Sequence, residues 1–142
     1  MSTEENKAVM CRIVEEIYNK GNVSVADELV SPEYGYSYDG GLGRSKGIES
    51  YKQFASMILK AFPDHHITLE DIIAEGDKVV MRLTVTGTHN GGDYMGIAPT
   101  GRQFKMSAII ISRLVNGKIV EQWENADLLG QLKQLGAIPP LD

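Results

Sequence analysis

The stretch from Lys78 to Leu132 constrains this chain more than any other, because it reads as three long strands joined by turns and followed by a helix. From Lys78 to His89 the residues alternate, with Val79, Met81, Leu83, Val85 and His89 on one face and Arg82, Thr84, Thr86 and Thr88 on the other. That is the pattern of a half-buried strand. From Gln103 to Val115 the pattern becomes a run, Ala108-Ile109-Ile110-Ile111, apolar on both faces and therefore in need of cover on both sides. Asn116-Gly117 follows as a two-residue hairpin, since both central positions of a type I′ turn require positive φ. The third strand, Lys118 to Asn125, carries Trp123 and leads to Asp127, and the functional centre is expected on a face shared by His89, Trp123 and Asp127.

Ahead of this stretch the chain reads as helical. Ser2 and Glu5 have capping-box spacing, and Met10, Ile13, Val14 and Ile17 recur at helical period up to Gly21. Ser24 suits the cap of a second, short helix reaching Val30, where Ser31-Pro32 stops it. Tyr34, Tyr36 and Tyr38 are spaced by two, as on an extended segment. A third helix is predicted from Gly47 to Ala61, with Ile48, Tyr51, Phe54, Ile58 and Phe62 as its stripe and Pro63 beyond. Ile67, Leu69 and Ile73 form one face of a further strand, and a last helix runs from Leu128 to Leu135 before Gly136. Helices first and a meander afterwards imply an α+β fold: a curved antiparallel or mixed sheet, three N-terminal helices and a short C-terminal helix around a hydrophobic pocket.

Composition narrows the partners. With 142 residues, 42% of them apolar, the chain suits one globular domain burying about 70% of its unfolded surface. The net charge of −5 comes from scattered acids, so no nucleic-acid footprint is expected. The acidic N-terminus lacks an apolar targeting core and no apolar run approaches the roughly 20 residues of a membrane span, which predicts a cytoplasmic protein with no membrane partner. Cys11 is the single cysteine, excluding an intramolecular disulfide. His65 and His66 are adjacent, so on a strand they point to opposite faces and make poor chelators; no metal is expected.

The elements GTH at 87–89, MGIAPTG at 95–101, NGKIVE at 116–121 and WENADLLGQLKQLG at 123–136 resemble the SnoaL-like polyketide cyclases, with looser similarity through AFPD at 61–64, EGDKVV at 75–80 and the N-terminal helices. The resemblance covers nearly the whole chain. It implies a cone-shaped α+β barrel, shared with ketosteroid isomerase and limonene-epoxide hydrolase, and usually dimeric. It also implies an activity: closure of the last ring of an aromatic polyketide by an intramolecular aldol reaction, with no cofactor or metal and an aspartate as acid and base. The matching aspartate here is Asp127.

The residues by themselves support two readings of Asp127: a pocket carboxylate, or an N-cap immediately before Leu128. The resemblance favours the first. His89 is the second catalytic candidate, as a donor to a developing oxyanion. Trp123, Tyr34, Tyr36, Phe54, Met81 and Met106 are the expected walls of a site for a flat, mostly apolar small molecule carrying a few oxygens. Asp71 is a further buried-carboxylate candidate unless a bulge turns it to solvent. The glycine-flanked loop GGDYMGIAPTG at 91–101 suits a flap over the pocket mouth. The leading function is a cofactor-free carbon-acid enzyme. A non-catalytic binding module and a ketosteroid-isomerase-like activity are the alternatives, and an epoxide hydrolase ranks last for want of an Asp-Arg-Asp set. Ile109 and Ile111 face away from the expected pocket, so a homodimer joined across the sheets is predicted, with Arg82 and Arg113 on that face needing carboxylate partners.

Overall fold

The structure is a computed structural model that describes residues 1–38 and 44–139, without the side chains of 36–38, 44 and 45. Its helices come first. α1, Thr3–Arg12, opens with the reciprocal capping box: Ser2 Oγ accepts from the Glu5 amide at 3.1 Å and Glu5 Oε1 accepts from the Ser2 amide at 3.2 Å. The helix then widens into a π-helical segment, Ile13–Asn19, whose carbonyls reach one residue further than in an α-helix. The expected second helix is shorter than its sequence suggests. A 3₁₀ turn, Val23–Val25, and one α turn, α2 at Ala26–Leu29, precede a strand that already begins at Val30, and Ser24 bonds Asn22 rather than capping.

β1 (Val30–Tyr38) pairs antiparallel with the short β2 (Arg44–Lys46), and α3 (Ile48–Ala61) follows. β3 (His66–Glu75), β4 (Lys78–Thr88), β5 (Gln103–Val115) and β6 (Lys118–Ala126) form a meander, and α4 (Leu128–Gln134) ends the described chain. Among the described residues the sheet has six strands in the order β2-β1-β6-β5-β4-β3, antiparallel except where β1 lies parallel to β6. Its concave face holds Val79, Met81, Leu83 and Val85 against Met10, Ile13, Ile17 and Phe62, all buried. A curved mixed sheet closed by helices on one side is the cone-shaped α+β barrel.

Two bulges set which residues reach that concave face. In β3, Leu69 pairs with Leu83 but Asp71 pairs with Arg82, leaving Glu70 as the extra residue. Ile72 therefore turns inward, while Ile73 is 64% exposed. The expectation that Ile73 shares the face of Ile67 and Leu69 is corrected by this bulge, and Asp71 lies outside, bonded to Arg82 at 2.7 Å. In β6, Leu114 pairs with Ile119 and Arg113 with Glu121, so Val120 is the extra residue.

The loop after β4 is fastened to α3 by backbone hydrogen bonds. The Gly91 amide donates to the Ala61 carbonyl at 3.2 Å and the Gly92 amide to the Lys60 carbonyl at 2.9 Å. A Cβ at Gly91 would overlap the Lys60 carbonyl oxygen, a backbone atom that cannot step aside. Gly91→Ala should cost about 3 kcal/mol of stability, at the upper end of overpacking effects. A denaturant midpoint equal to that of the unaltered protein would contradict this.

Candidate functional site

The concave face and the helices enclose a cavity of about 690 Å³. Met81, Leu83, Val85, Phe104, Met106, Ala108 and Ile110 form its sheet wall, with Ile13, Val14, Met57 and Ile58 opposite. A space of that size with mostly apolar walls accepts a small molecule of several fused rings. Phe54 is 45% exposed and Met95 41% exposed, yet both line it, which places the mouth between α3 and the 91–101 loop.

The polar groups are few and grouped. Tyr34 on β1 donates to Gln122 Oε1 at 2.7 Å, and Gln122 Nε2 donates to Ser112 Oγ at 2.8 Å. This chain runs across three strands and fixes the amide orientation. Tyr51 on α3 packs edge-on against Tyr34 at 5.1 Å and against Tyr18 at 6.5 Å between ring centroids. The Tyr18 and Tyr51 hydroxyls influence one another's ionisation, yet Tyr51 Oη meets no partner at hydrogen-bonding geometry despite its burial. Burial pushes the Tyr18 phenol up to about 12 and holds those of Tyr34 and Tyr51 well above the usual range, and the Glu124 charge acts in the same direction on all three. All three therefore stay protonated, and so able to donate, at neutral pH. Glu124 enters the cavity from β6 beside them, the one carboxylate on its wall among the described residues. Nearer the mouth, Tyr94 donates to Gln131 Oε1 at 2.8 Å, tying the loop to α4.

Four expected wall residues, Tyr34, Phe54, Met81 and Met106, line this cavity; the Tyr36 side chain lies outside the described residues. The other three candidates are placed elsewhere. Trp123 pairs with Ile111 on the convex face, because the Val120 bulge shifts β6 by one residue. Asp127 is exposed and caps α4, accepting from the Gly130 amide at 3.0 Å. Replacing it with alanine should cost about 1 kcal/mol, a typical cap value, and leave turnover unchanged. Loss of turnover without loss of stability would reverse that assignment. His89 is fully buried behind Phe62 and Tyr94 and donates from Nε2 to the Gly92 carbonyl at 3.0 Å. It holds the loop rather than facing the cavity.

His65 is buried, and burial lowers its pKa below 6.5. A depressed histidine pKa means that the unfolded chain binds the extra proton, so this stability is present above about pH 6.5 and lost as pH falls through the folded value. His65→Asn should flatten the decline in melting temperature below pH 6.5 relative to the unaltered protein; parallel profiles would contradict the assignment.

Among the described residues no three of His, Cys, Asp and Glu stand together as a metal cluster, and no helix is long and apolar enough to cross a membrane.

Comparison with known proteins places this architecture. The sequence profile described as SnoaL-like polyketide cyclase matches residues 8–135. Aklanonic acid methyl ester cyclase AcmA of Streptomyces galilaeus is 31% identical over 134 residues, covering 93% of this chain and 91% of that protein. Nogalonic acid methyl ester cyclase of Streptomyces nogalater is 29% identical over 121 residues, covering 84% and 89%. Among solved structures, TsrD of Streptomyces laurentii superposes with a TM-score of 0.84 at 30% identity, covering 97% of this chain and 99% of that one. The chain belongs to the SnoaL-like polyketide cyclase family.

Proposed function

We propose that this protein is a cofactor-free cyclase that closes a ring in a polycyclic, oxygenated polyketide ester by an intramolecular aldol reaction, with Glu124 as acid and base. The observation that carries the reading is the Glu124 carboxylate on an apolar cavity wall beside three buried tyrosines. The relatives' names supply the substrate class, methyl esters of aklanonic and nogalonic acid.

In this mechanism Glu124 takes a proton from the carbon next to a carbonyl, and the enolate oxygen accepts a hydrogen bond from Tyr51, a buried, protonated phenol on the cavity wall. The enolate carbon attacks a ketone carbon of the same molecule, forming the new C–C bond. The resulting alkoxide takes back the proton held by Glu124, so the product is an isomer of the substrate and the carboxylate is regenerated. Apolar walls keep water from the enolate, and the Tyr34–Gln122–Ser112 chain holds the tyrosine end rigid.

The test is incubation with aklanonic acid methyl ester and nogalonic acid methyl ester in buffer containing a chelator. A ring-closed product of unchanged mass supports the reading. Recovery of both esters unchanged, under conditions where a known cyclase converts them, counts against it. We further propose that the active form is a homodimer joined through the convex sheet face.

A further inference from the structure

We propose that His65 is a ligand-facing acceptor in the cavity, a subsite for an enolic or phenolic hydroxyl of the substrate. The proposal rests on the function proposed above only for the kind of molecule the cavity holds.

The π-helical segment Ile13–Asn19 sets the orientation of His65. Its last turn leaves the Tyr18 carbonyl as the oxygen that faces His65, with Nδ1 at 3.3 Å. A carbonyl oxygen only accepts, so Nδ1 carries the hydrogen, and the neutral imidazole is left with Nε2 as a lone-pair acceptor. Nε2 makes no hydrogen bond among the described residues, and the ring lines the cavity. With its Nδ1 edge turned to the helix, its other edge is the one available to a ligand. Burial keeps this ring in the neutral form that the role requires.

A clamp holds the ring in place. Asn19, the last residue of the π segment, donates from Nδ2 to the Ile67 carbonyl at 3.0 Å and accepts from the Ile67 amide at 2.7 Å. Its side chain thus pairs with β3 as another strand would, two residues beyond His65. The π turn and the start of β3 are joined as one unit, and Tyr18 and His65 sit with their ring centroids 6.0 Å apart. π turns of this kind recur at functional sites because they place one residue out of helical phase. The neighbouring histidine does not share the role: His66 is exposed. Asp64 is bonded to the Thr88 amide and hydroxyl, each at 2.7 Å.

The consequence is a division of labour. Tyr51 offers a donor to a carbonyl oxygen, and His65 offers an acceptor to a hydroxyl hydrogen. A ligand with both groups on a flat apolar frame satisfies both, and a ligand with carbonyls alone satisfies one.

Two probes separate these cases: alizarin, which carries hydroxyls on an anthraquinone frame, and unsubstituted anthraquinone. Alizarin should bind more tightly, and His65→Asn should weaken alizarin by about tenfold, the value of one hydrogen bond, with anthraquinone affinity unchanged. Asparagine retains a donor for the Tyr18 carbonyl and lacks the Nε2 acceptor; His65→Phe, which keeps the ring volume, should behave the same way. Nitrogen NMR of the unaltered protein gives a readout independent of any variant. It should show His65 as the Nδ1–H tautomer, with its Nε2 resonance moved by alizarin and not by anthraquinone. The subsite is overturned by equal affinity of the two probes, by failure of both to bind, by equal loss of both in His65→Asn, by an Nε2–H tautomer, or by a hydroxyl preference that disappears in Glu124→Gln but persists in His65→Asn. Failure of the esters to cyclise with these binding results intact would overturn the proposed reaction and leave the subsite standing.

Discussion

Glu124→Gln should lower turnover of a cyclised ester by about 10²–10⁴-fold, the usual contribution of a positioned acid–base group. That corresponds to roughly 3–5.5 kcal/mol of barrier. Glutamine keeps the length and planarity of the side chain and removes its ability to accept and return a proton. Because the side chain is only half-buried, with Gln122 two residues away already fixed by Tyr34 and Ser112, the fold should tolerate the change with little loss of stability. The expected signature is therefore a fall in kcat with KM and melting temperature nearly unchanged, which marks an interaction made in the transition state. Asp127→Asn provides the contrast, since its carboxylate caps α4 from the surface. Should Glu124→Gln retain turnover while Asp127→Asn loses it, the acid–base role would move to Asp127 and the proposed mechanism would fail.

Ile111→Asp should convert a dimer into a monomer. Ile73, Val80, Ile111 and Trp123 are successive pairing partners across β3, β4, β5 and β6, so they make one apolar row over the convex face. Ile109, 48% exposed, extends it. Charges flank this row already neutralised: Arg82 on Asp71 at 2.7 Å and Arg113 on Glu121 at 2.6 Å. Those pairs answer the requirement that arginines entering an interface bring carboxylates with them. Burying each isoleucine contributes roughly 1.5–3 kcal/mol, and a two-fold interface counts every residue twice, before the cost of association. A carboxylate in the middle of the row would be desolvated on association without a partner of opposite charge. Sizing with light scattering at micromolar concentration should give a dimer for the unaltered protein and a monomer for Ile111→Asp. A monomer in both cases would refute the interface.

Local chemistry made much of the fold legible. The Ser2/Glu5 capping box, the α3 stripe stopped near Pro63, the Asn116-Gly117 hairpin and the alternation along β4 each depend on residues close in sequence, and each appears where the sequence puts it. The inward Ala108 and Ile110 and the outward Ile109 follow from the same period of two. Four of the expected walls follow as well, because apolar residues on a concave face end up around whatever space it encloses.

The carboxylate on the cavity wall did not follow, and the reason is one residue. A regular hairpin continued from the Val115–Lys118 and Leu114–Ile119 pairs would have set Trp123 against Ile110, facing inward with Asp127 in phase. The Val120 bulge moves β6 by one position, so Glu124 faces Ile110 and the cavity, and Trp123 faces Ile111 and the outside. The Glu70 bulge does the same to Asp71 and Ile73 in β3. A strand's side chains alternate strictly, so a single inserted residue exchanges its entire inside for its outside. Nothing in the hydrophobic pattern marks where that insertion falls. The sequence by itself determined the elements, their order and the apolar walls. Tertiary pairing decided which carboxylate and which histidine reach the cavity, because sheet register and the packing of the π turn against β3 depend on residues far apart in the chain.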